Sequence, residues 1–529
     1  VSSDPDFIGK HMPIAKTIAA VMARGVVALG IQGLCCAAQA DSGPTIWQTW
    51  LASLQSQGYG VTQGSAYEFT PAYCQQVIYP VFKTCFSSDP GDPYLQPLVP
   101  MGNGYIDPYY HNTSTLPDGT VVGQDYRLDT TEALLVILTL PPQAAYFSYE
   151  SYLFSRPTSF YPNGYEKLSP DPTRASLFAT FNNSINNVQV FRQSGLSFGQ
   201  GTVAFITTAN STLTASLVDS FSAVGGNPSL LFTEALGSTL NPGLDQDNDD
   251  FSTVVRYSVP QSTSVGNHWR STIATQMRVF RIDQPAGMAV TRYGTTPLSN
   301  KSFNADETSQ AGDVAELSQL LQSWLATEEN DSGVSVRTLA PSEKVSASGV
   351  IVSGEVGPYC IQNGTDCGAD QQDSAAYWGG NVGTLAANQM FIVDGVNHSV
   401  TNNTTFMSLG AADASRGTGI ASAAQTNSTA AGFTSGSLTG SAAQVLQDLG
   451  LYGQASPGLI SDLPNLYVHI FTRPCDPALV YCSQPYTTTL PTSAVPLTHV
   501  INMTERAYVL PGFLNGANPK YLLDPDLIY

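Results

Sequence analysis

Between Glu132 and Leu138 the apolar positions Ala133, Leu134, Leu135, Val136, Ile137 and Leu138 run without interruption, and Pro141-Pro142 stop them. A short unbroken run bounded by breakers predicts a strand buried on both faces. A second strand follows at 146–156, where strict alternation sets Tyr146, Ser148, Glu150, Tyr152, Phe154 and Arg156 on one face and Phe147, Tyr149, Ser151 and Leu153 on the other. Both faces therefore carry aromatic rings. Further strands are expected at 202–208, 230–232, 253–259 and 276–282. They should continue one mixed sheet layer with helices on one side.

Three stretches carry helical spacing. Ile46, Trp47, Trp50, Leu51 and Leu54 line one face, with Ser42 as cap and Pro44 in the first turn. Asn210 caps a second stripe of Leu213, Leu217, Val218, Phe221 and Val224, which Gly225-Gly226 end. The third runs over 313–327 through Val314, Leu317, Leu320, Leu321, Trp324 and Leu325, with Asp313 and Glu316 set as a capping box. Met390 to Val393 is a short strand leading into Asp394 and His398. Late in the chain, Leu466 to Arg473 alternates again, with Tyr467, His469, Phe471 and Arg473 opposite Leu466, Val468 and Ile470, and is expected to return to the main sheet. No repeat of fixed period is visible. The fold class is α+β: β-rich mixed sheets, a few packed amphipathic helices and disulfide-stapled loops.

The composition shift at 410–443, almost entirely Gly, Ala, Ser and Thr, predicts a linker, excursion or glycosylated loop. The organisation expected is a leader over 1–40, a helical and loop segment over 41–118, an α+β domain over 119–330, a β-rich segment over 331–409, the excursion over 410–445 and a returning segment over 446–529.

Cysteine spacing adds the compartment. Cys74 with Cys85, Cys360 with Cys367, and Cys475 with Cys482 form three close pairs, the pattern of short stapled loops in an oxidising environment. An unbroken helix from Cys74 to Cys85 would hold the sulfurs roughly 16 Å apart, so Pro80 is expected to mark a bend. Met12, Lys16, Arg24, the apolar run 26–38 and Ala38-Gln39-Ala40 read as a cleavable leader, with Cys35 and Cys36 leaving with it. The run falls short of the roughly 20 apolar residues of a spanning helix. A secreted protein is expected, periplasmic in a Gram-negative cell, without stable membrane anchoring. Sequons at Asn112, Asn182, Asn210, Asn300, Asn330, Asn363, Asn397, Asn402, Asn403, Asn427 and Asn502 would carry sugar in a eukaryotic secretory pathway.

Charge narrows the partners. A formal net charge of -20, from 21 Lys plus Arg against 41 Asp plus Glu, disfavours nucleic acid and anionic membranes and leaves a small molecule or a glycan. Candidate chemistry is sparse. Gly195-Leu196-Ser197-Phe198-Gly199 matches the nucleophile-elbow pattern, but a strand-like segment follows where a helix is needed, so a glycine-rich turn between strands competes with a nucleophilic Ser197. Asp394 and His398 form the proton-handling pair of a hydrolase-type enzyme, histidine otherwise being confined to His111, His268, His469 and His499 beyond the leader. Glu150, Tyr152 and Arg156, and Tyr467, His469 and Arg473, are candidate ligand contacts on aromatic strand faces. Asp245, Asp247 and Asp249 could hold calcium, although Asp250 and Arg256 stand where an EF-hand needs Gly and Glu; no other cofactor is implied. The leading expectation is an extracellular hydrolase with an aromatic-lined polar pocket. A non-catalytic exported ligand-binding or surface protein, calcium-stabilised if Asp245 to Asp249 hold the ion, is the competing class.

Overall fold

The apolar run beginning at Glu132 is the central strand of a five-stranded mixed sheet and is buried on both faces, as its lack of alternation requires. The computed structural model describes residues 45–103, 113–328, 334–354, 356–368, 371–427, 429–430, 433–476, 478–484 and 495–529. The expected leader, the Ser42 cap, His111 and the sequons at Asn112 and Asn330 lie outside the described residues.

The layer-building strands of the first half are β1 (Gly60–Gln63), β2 (Ser65–Phe69), β3 (Tyr94–Pro100), β4 (Glu132–Thr139), β5 (Ala144–Pro157), β6 (Arg174–Thr180), β7 (Thr202–Thr208), β8 (Leu231–Ala235), β9 (Asp250–Pro260) and β10 (Met277–Asp283). Those of the second half are β11 (Val336–Thr338), β12 (Ala340–Pro341), β13 (Ser374–Thr384), β14 (Met390–Val396), β15 (Phe406–Asp413), β16 (Thr418–Ala424), β17 (Leu466–Thr472), β18 (Cys482–Ser483), β19 (Val500–Tyr508) and β20 (Asp526–Ile528). The principal helices are α1 (Ile46–Ser56), α2 (Asn187–Ser194), α3 (Ser211–Ala223), α4 (Ala311–Glu328), α5 (Gly357–Asn363) and α6 (Ser441–Asp448).

The two halves have one topology. In the first, the mixed sheet runs β1, β10, β4, β7, β8, antiparallel except for the parallel β7–β8 edge; in the second it runs β11, β20, β14, β17, β18, with β17–β18 parallel. The antiparallel layers correspond as well. Strands β2, β3, β9, β5, β6 are neighbours in that order, and so are β12, β13, β19, β15, β16. Strand β1 thus answers to β11, β2 to β12, and so on to β10 and β20, with α1 answering to α4 and α2 to α6. The shared order of connections identifies an internal duplication. No sequence period betrays it, because the loops between equivalent strands differ in length.

Each half is a stack of helices, mixed sheet and antiparallel sheet. In the first, Trp47, Trp50 and Leu54 of α1 and Leu213, Leu217 and Phe221 of α3 cover Leu135, Ile137, Ala204 and Ile206, while Leu134, Val136, Leu138 and Phe205 pack against Phe147, Tyr149, Leu153 and Val255 of the antiparallel layer. In the second, α4 and α6 cover Ile392, Val396, Leu466, Val468 and Ile470, and Val393, Tyr467 and Phe471 meet Tyr377, Met407, Leu409 and Met503. The fold is α+β.

Several expectations change. Strand 253–259 belongs to the antiparallel layer, not to the sheet of 202–208. The 466–472 strand joins the second half's own mixed sheet rather than returning to the first. The stretch 410–443 supplies most of the β15–β16 hairpin and the start of α6, with Ala411, Ala421 and Ala423 buried; small residues pass for a linker in sequence because their partners in the sheet are not visible there. Thr45 caps α1 in a capping box with Gln48. Asp313 and Glu316 form no such box: Asp306 caps the 3-10 turn leading into α4, and Glu316 accepts hydrogen bonds from the Ser456 amide and hydroxyl, each at 2.7 Å.

All three cysteine pairs are disulfide-bonded, with Cα separations of 5.7, 6.0 and 5.9 Å. Between Cys74 and Cys85 the helical path continues through Pro80 to Phe82 and reverses at Lys83, whose φ of 61° ends it. The bend therefore falls after Pro80. The Cys475–Cys482 bond closes the connection between the parallel strands β17 and β18, where the first half uses helix α3. Among the described residues, no helix is long and apolar enough to cross a membrane.

Candidate functional site

His398 is fully buried in the second half, its Nδ1 2.8 Å from Glu307 Oε2 and its Nε2 3.1 Å from Glu505 Oε1. Burial works against a charge on the ring, but the two carboxylates outweigh it and raise the pKa to about 10. Glu307 also accepts from Thr401 Oγ1 at 2.6 Å and Asn403 Nδ2 at 2.9 Å; burial, the largest single influence, pulls its pKa up, but His398, Thr401 and Asn403 together outweigh it and the net shift is downward. Glu505 receives the Tyr467 hydroxyl. The ring is clamped between two glutamates, which occupy both of its nitrogens. Asp394 does not pair with it. That side chain points toward α4, where Ser318 Oγ donates to Oδ2 at 2.5 Å, and burial followed by the nearby Asp526 raises its pKa well above the carboxylate range. Ser197 lies in the first half on an exposed turn joining helix α2 to strand β7, the reverse of an elbow and not the strand-to-strand turn expected. The structure does not bring Ser197, His398 and Asp394 together by hydrogen bonds.

The expected ligand contacts are internal. Tyr152 donates to Glu150 Oε2 at 2.8 Å and stacks on Phe178. Arg156 holds Asp249 through two hydrogen bonds of 2.6 and 2.7 Å. Asp249 and Asp250 are buried counter-ions for Arg156, Arg127 and Arg174, whereas Asp245 and Asp247 are exposed. Among the described residues no group of three or more His, Cys, Asp or Glu is placed to hold a metal ion. His469 Nε2 lies 2.9 Å from Ser483 Oγ, and burial lowers its pKa to about 3; Arg473 donates to the carbonyls of Leu385 and Val495. Five sequon asparagines, Asn182, Asn210, Asn397, Asn403 and Asn502, are buried and so cannot be the sugar-bearing surface positions expected of them.

One open site lies between the halves. The antiparallel layers turn their outer faces toward each other and enclose a cleft of about 560 Å³, within the roughly 300–1,000 Å³ of small-molecule sites. From the first half come Phe82, Phe86, Tyr94, Glu166 and Phe178; from the second come Asp366, Trp378, Asn502, Thr504, Arg506 and Tyr508. Alternation along β19 accounts for the last set. Asn502, Thr504, Arg506 and Tyr508 face the cleft, while Ile501, Met503 and Ala507 face the core with Glu505, the partner of His398. The floor is lined by the short side chains of Ser408, Gly410, Ala412, Gly419 and Ala376. The small residues that resemble a linker in sequence leave the cleft its depth.

Two disulfide-stapled segments form its rims, each reaching across to the other half. Cys85 N and Ser87 N donate to Gly417 O of the β15–β16 turn at 3.0 and 2.7 Å; reciprocally, Cys367 N donates to Leu177 O of β6 at 2.7 Å and Ser176 Oγ to Asp366 Oδ2 at 2.5 Å. Strands β6 and β16 are equivalent, so the exchange obeys the duplication. Glycine is needed at both docking points: a Cβ at Gly419 would fall 1.9 Å from Ser88 O, and one at Gly357 1.7 Å from Thr180 O. Strain gathers at the same place. Phe86, Ser87 and Phe178 hold φ of 54°, 50° and 39° and all three line the cleft. At its inner end the Arg256 guanidinium lies over Tyr94 of the first half and Tyr508 of the second, 4.4 and 5.0 Å from the ring centroids.

Carboxylates at the mouth sit above their ordinary range: burial raises Asp366 against the pull of Ser176, and burial with the nearby Asp366 raises Glu166. The cleft can stack a ring, accept and donate hydrogen bonds, and hold a proton on a carboxyl. None of these residues stood out in sequence. The alternation of 501–508 was the available signal, and its polar face is the cleft face.

No protein-family model matches this chain, and no curated protein does. Among solved structures the chain is similar to the VPA0106 protein of Vibrio parahaemolyticus, at 6% identity and a TM-score of 0.31 over 81% of this chain and 91% of that one. It is also similar to an uncharacterised protein from Burkholderia cenocepacia, at 10% identity and a TM-score of 0.31 over 84% of this chain and 77% of that one.

Proposed function

We propose that the chain is an exported protein that binds a small ligand in the cleft between its duplicated halves. One observation carries the reading: two reciprocally exchanged, stapled rims, strained backbone and a set of aromatic and polar side chains from both halves converge on a single open space. Export is supported by the three disulfides. The hydrolase reading loses its expected acid–base pair, because His398 and Asp394 are buried and bonded elsewhere. It survives only at Glu166 and Asp366, whose raised pKa values suit proton transfer at the cleft mouth.

The test is differential scanning fluorimetry of the disulfide-bonded chain against neutral, cationic and anionic small molecules, each compound that shifts Tm also being assayed for turnover. A ligand at 100 times its Kd adds about 2.7 kcal/mol to stability. Position 410 has open space toward the cleft, the nearest atom to a Cβ there being Thr504 O at 3.9 Å. Gly410→Trp should therefore fill the cleft, keep the fold and abolish the ligand-dependent rise in Tm. A rise that persists undiminished in Gly410→Trp, or no rise with any compound, contradicts the proposal.

A further inference from the structure

We infer that the cleft's ligand is a neutral carbohydrate, a short oligosaccharide bound across both halves; this rests on the binding reading above and names its ligand class. The walls decide the first point. Trp378 is 41% exposed at the cleft although it lies in the middle of strand β13. An indole left open to water beside a cavity is an unused stacking surface, and Phe86, Tyr94, Phe178 and Tyr508 extend the aromatic lining inward.

The polar groups decide the second. Rings alternate with neutral donors and acceptors, Ser176, Ser408, Asn502 and Thr504, and with the carboxylates Asp89, Glu166 and Asp366. An apolar ligand would strip water from these groups without replacing its hydrogen bonds, at a cost of about 1–3 kcal/mol for each group left unmet. A polyol meets them, since each hydroxyl both donates to a carboxylate or carbonyl and accepts from an amide or guanidinium. Its C–H faces suit the rings.

Charge decides the third. The chain carries a formal net charge of -20, and three carboxylates, Asp89, Glu166 and Asp366, line the cleft against the two cations Lys167 and Arg506, so an anionic ligand is disfavoured. A cationic ligand would meet Arg506 on the floor and Lys167 on the rim. A neutral ligand meets neither conflict. The small floor residues Gly410, Ala412 and Gly419 leave depth for a ring to enter edge-on.

Isothermal titration with the disulfide-bonded chain tests this, using cellotetraose, xylotetraose, maltotriose and tri-N-acetylchitotriose as neutral probes, choline as the cationic probe and p-nitrophenol as a non-sugar aromatic. At least one oligosaccharide should bind and quench tryptophan fluorescence. Trp378→Ala and Asp366→Asn should each weaken that binding at least tenfold, while Phe513→Ala, an exposed ring that does not line the cleft, should leave it unchanged. Circular dichroism and Tm matching the parent chain show that the variants are folded. Binding of choline or p-nitrophenol alone, lost in Trp378→Ala, overturns the carbohydrate assignment and leaves the cleft reading standing. Oligosaccharide binding that is unaffected by Trp378→Ala and Asp366→Asn overturns the assignment to this cleft, and failure of every oligosaccharide to bind overturns the carbohydrate assignment, while the cleft reading is decided separately by the wider fluorimetric panel and Gly410→Trp.

Discussion

Two buried histidines set opposite limits on the pH range of the fold. His398 has its folded pKa raised to about 10 from an ordinary value of 6.5, so the stability it contributes is fully present below about pH 6.5 and is lost as pH rises through 10. His469 is held at about 3, so between pH 6.5 and 3 the unfolded chain takes up a proton that the folded chain refuses, and stability falls as pH drops. Urea unfolding midpoints measured from pH 4 to pH 10 should decline at both ends. His469→Gln should flatten the acid limb and His398→Gln the alkaline one. Replacing His398 also leaves Glu307 and Glu505 buried without their counter-ion, and breaking a buried pair in this way costs about 3–5 kcal/mol; a loss below 1 kcal/mol in His398→Ala would contradict the clamp. In sequence, His398 beside Asp394 resembled a catalytic pair because one-dimensional proximity hides direction. Its true partners, Glu307 and Glu505, are distant along the chain, and nothing local announces them.

At the scale of elements, legibility followed the strength of the local signal. The apolar run of β4, the β7 segment and the Asn210-capped stripe of α3 appear where the hydrophobic pattern places them, because burial and capping act within a few residues. The two-sided aromatic alternation of β5 and the alternation of β17 also hold, their opposite faces entering different apolar clusters. What escaped was whatever depends on a partner strand: the small-residue hairpin β15–β16, the sheet each strand joins, and the duplication itself. The stapled loops yield a discriminating prediction. Cys74–Cys85 and Cys360–Cys367 brace the cleft rims, whereas the Cys475–Cys482 loop does not line the cleft. Each bond closes a short loop and should contribute about 2–3 kcal/mol. Replacing either rim pair with serines should lower stability and weaken ligand binding together. Replacing Cys475 and Cys482 should lower stability while leaving the affinity of the folded protein intact, which titration calorimetry below the Tm separates.

From Thr45 onward the described residues form a pair of like stacks that lend each other a stapled segment. Because β6 carries the second half's rim and β16 carries the first half's, neither stack keeps its outer face covered without the other. Calorimetry should therefore record one cooperative transition, with calorimetric and van't Hoff enthalpies equal. Two resolved transitions would mean that the exchange is ornamental to stability. Composition and charge in the sequence placed limits on the partner but could not locate the site, since the cleft exists only where two distant sheets meet.

Hydrogen–deuterium exchange of the disulfide-bonded chain, with and without the tightest-binding probe of the panel, tests the central claim directly. Binding between the halves predicts simultaneous protection of the 82–90 rim, the 174–180 strand and the 500–508 strand, from both halves at once. Protection confined to one half, or centred on the surface formed by 311–315, 343–345 and 519–526 while the cleft strands exchange unchanged, would contradict it.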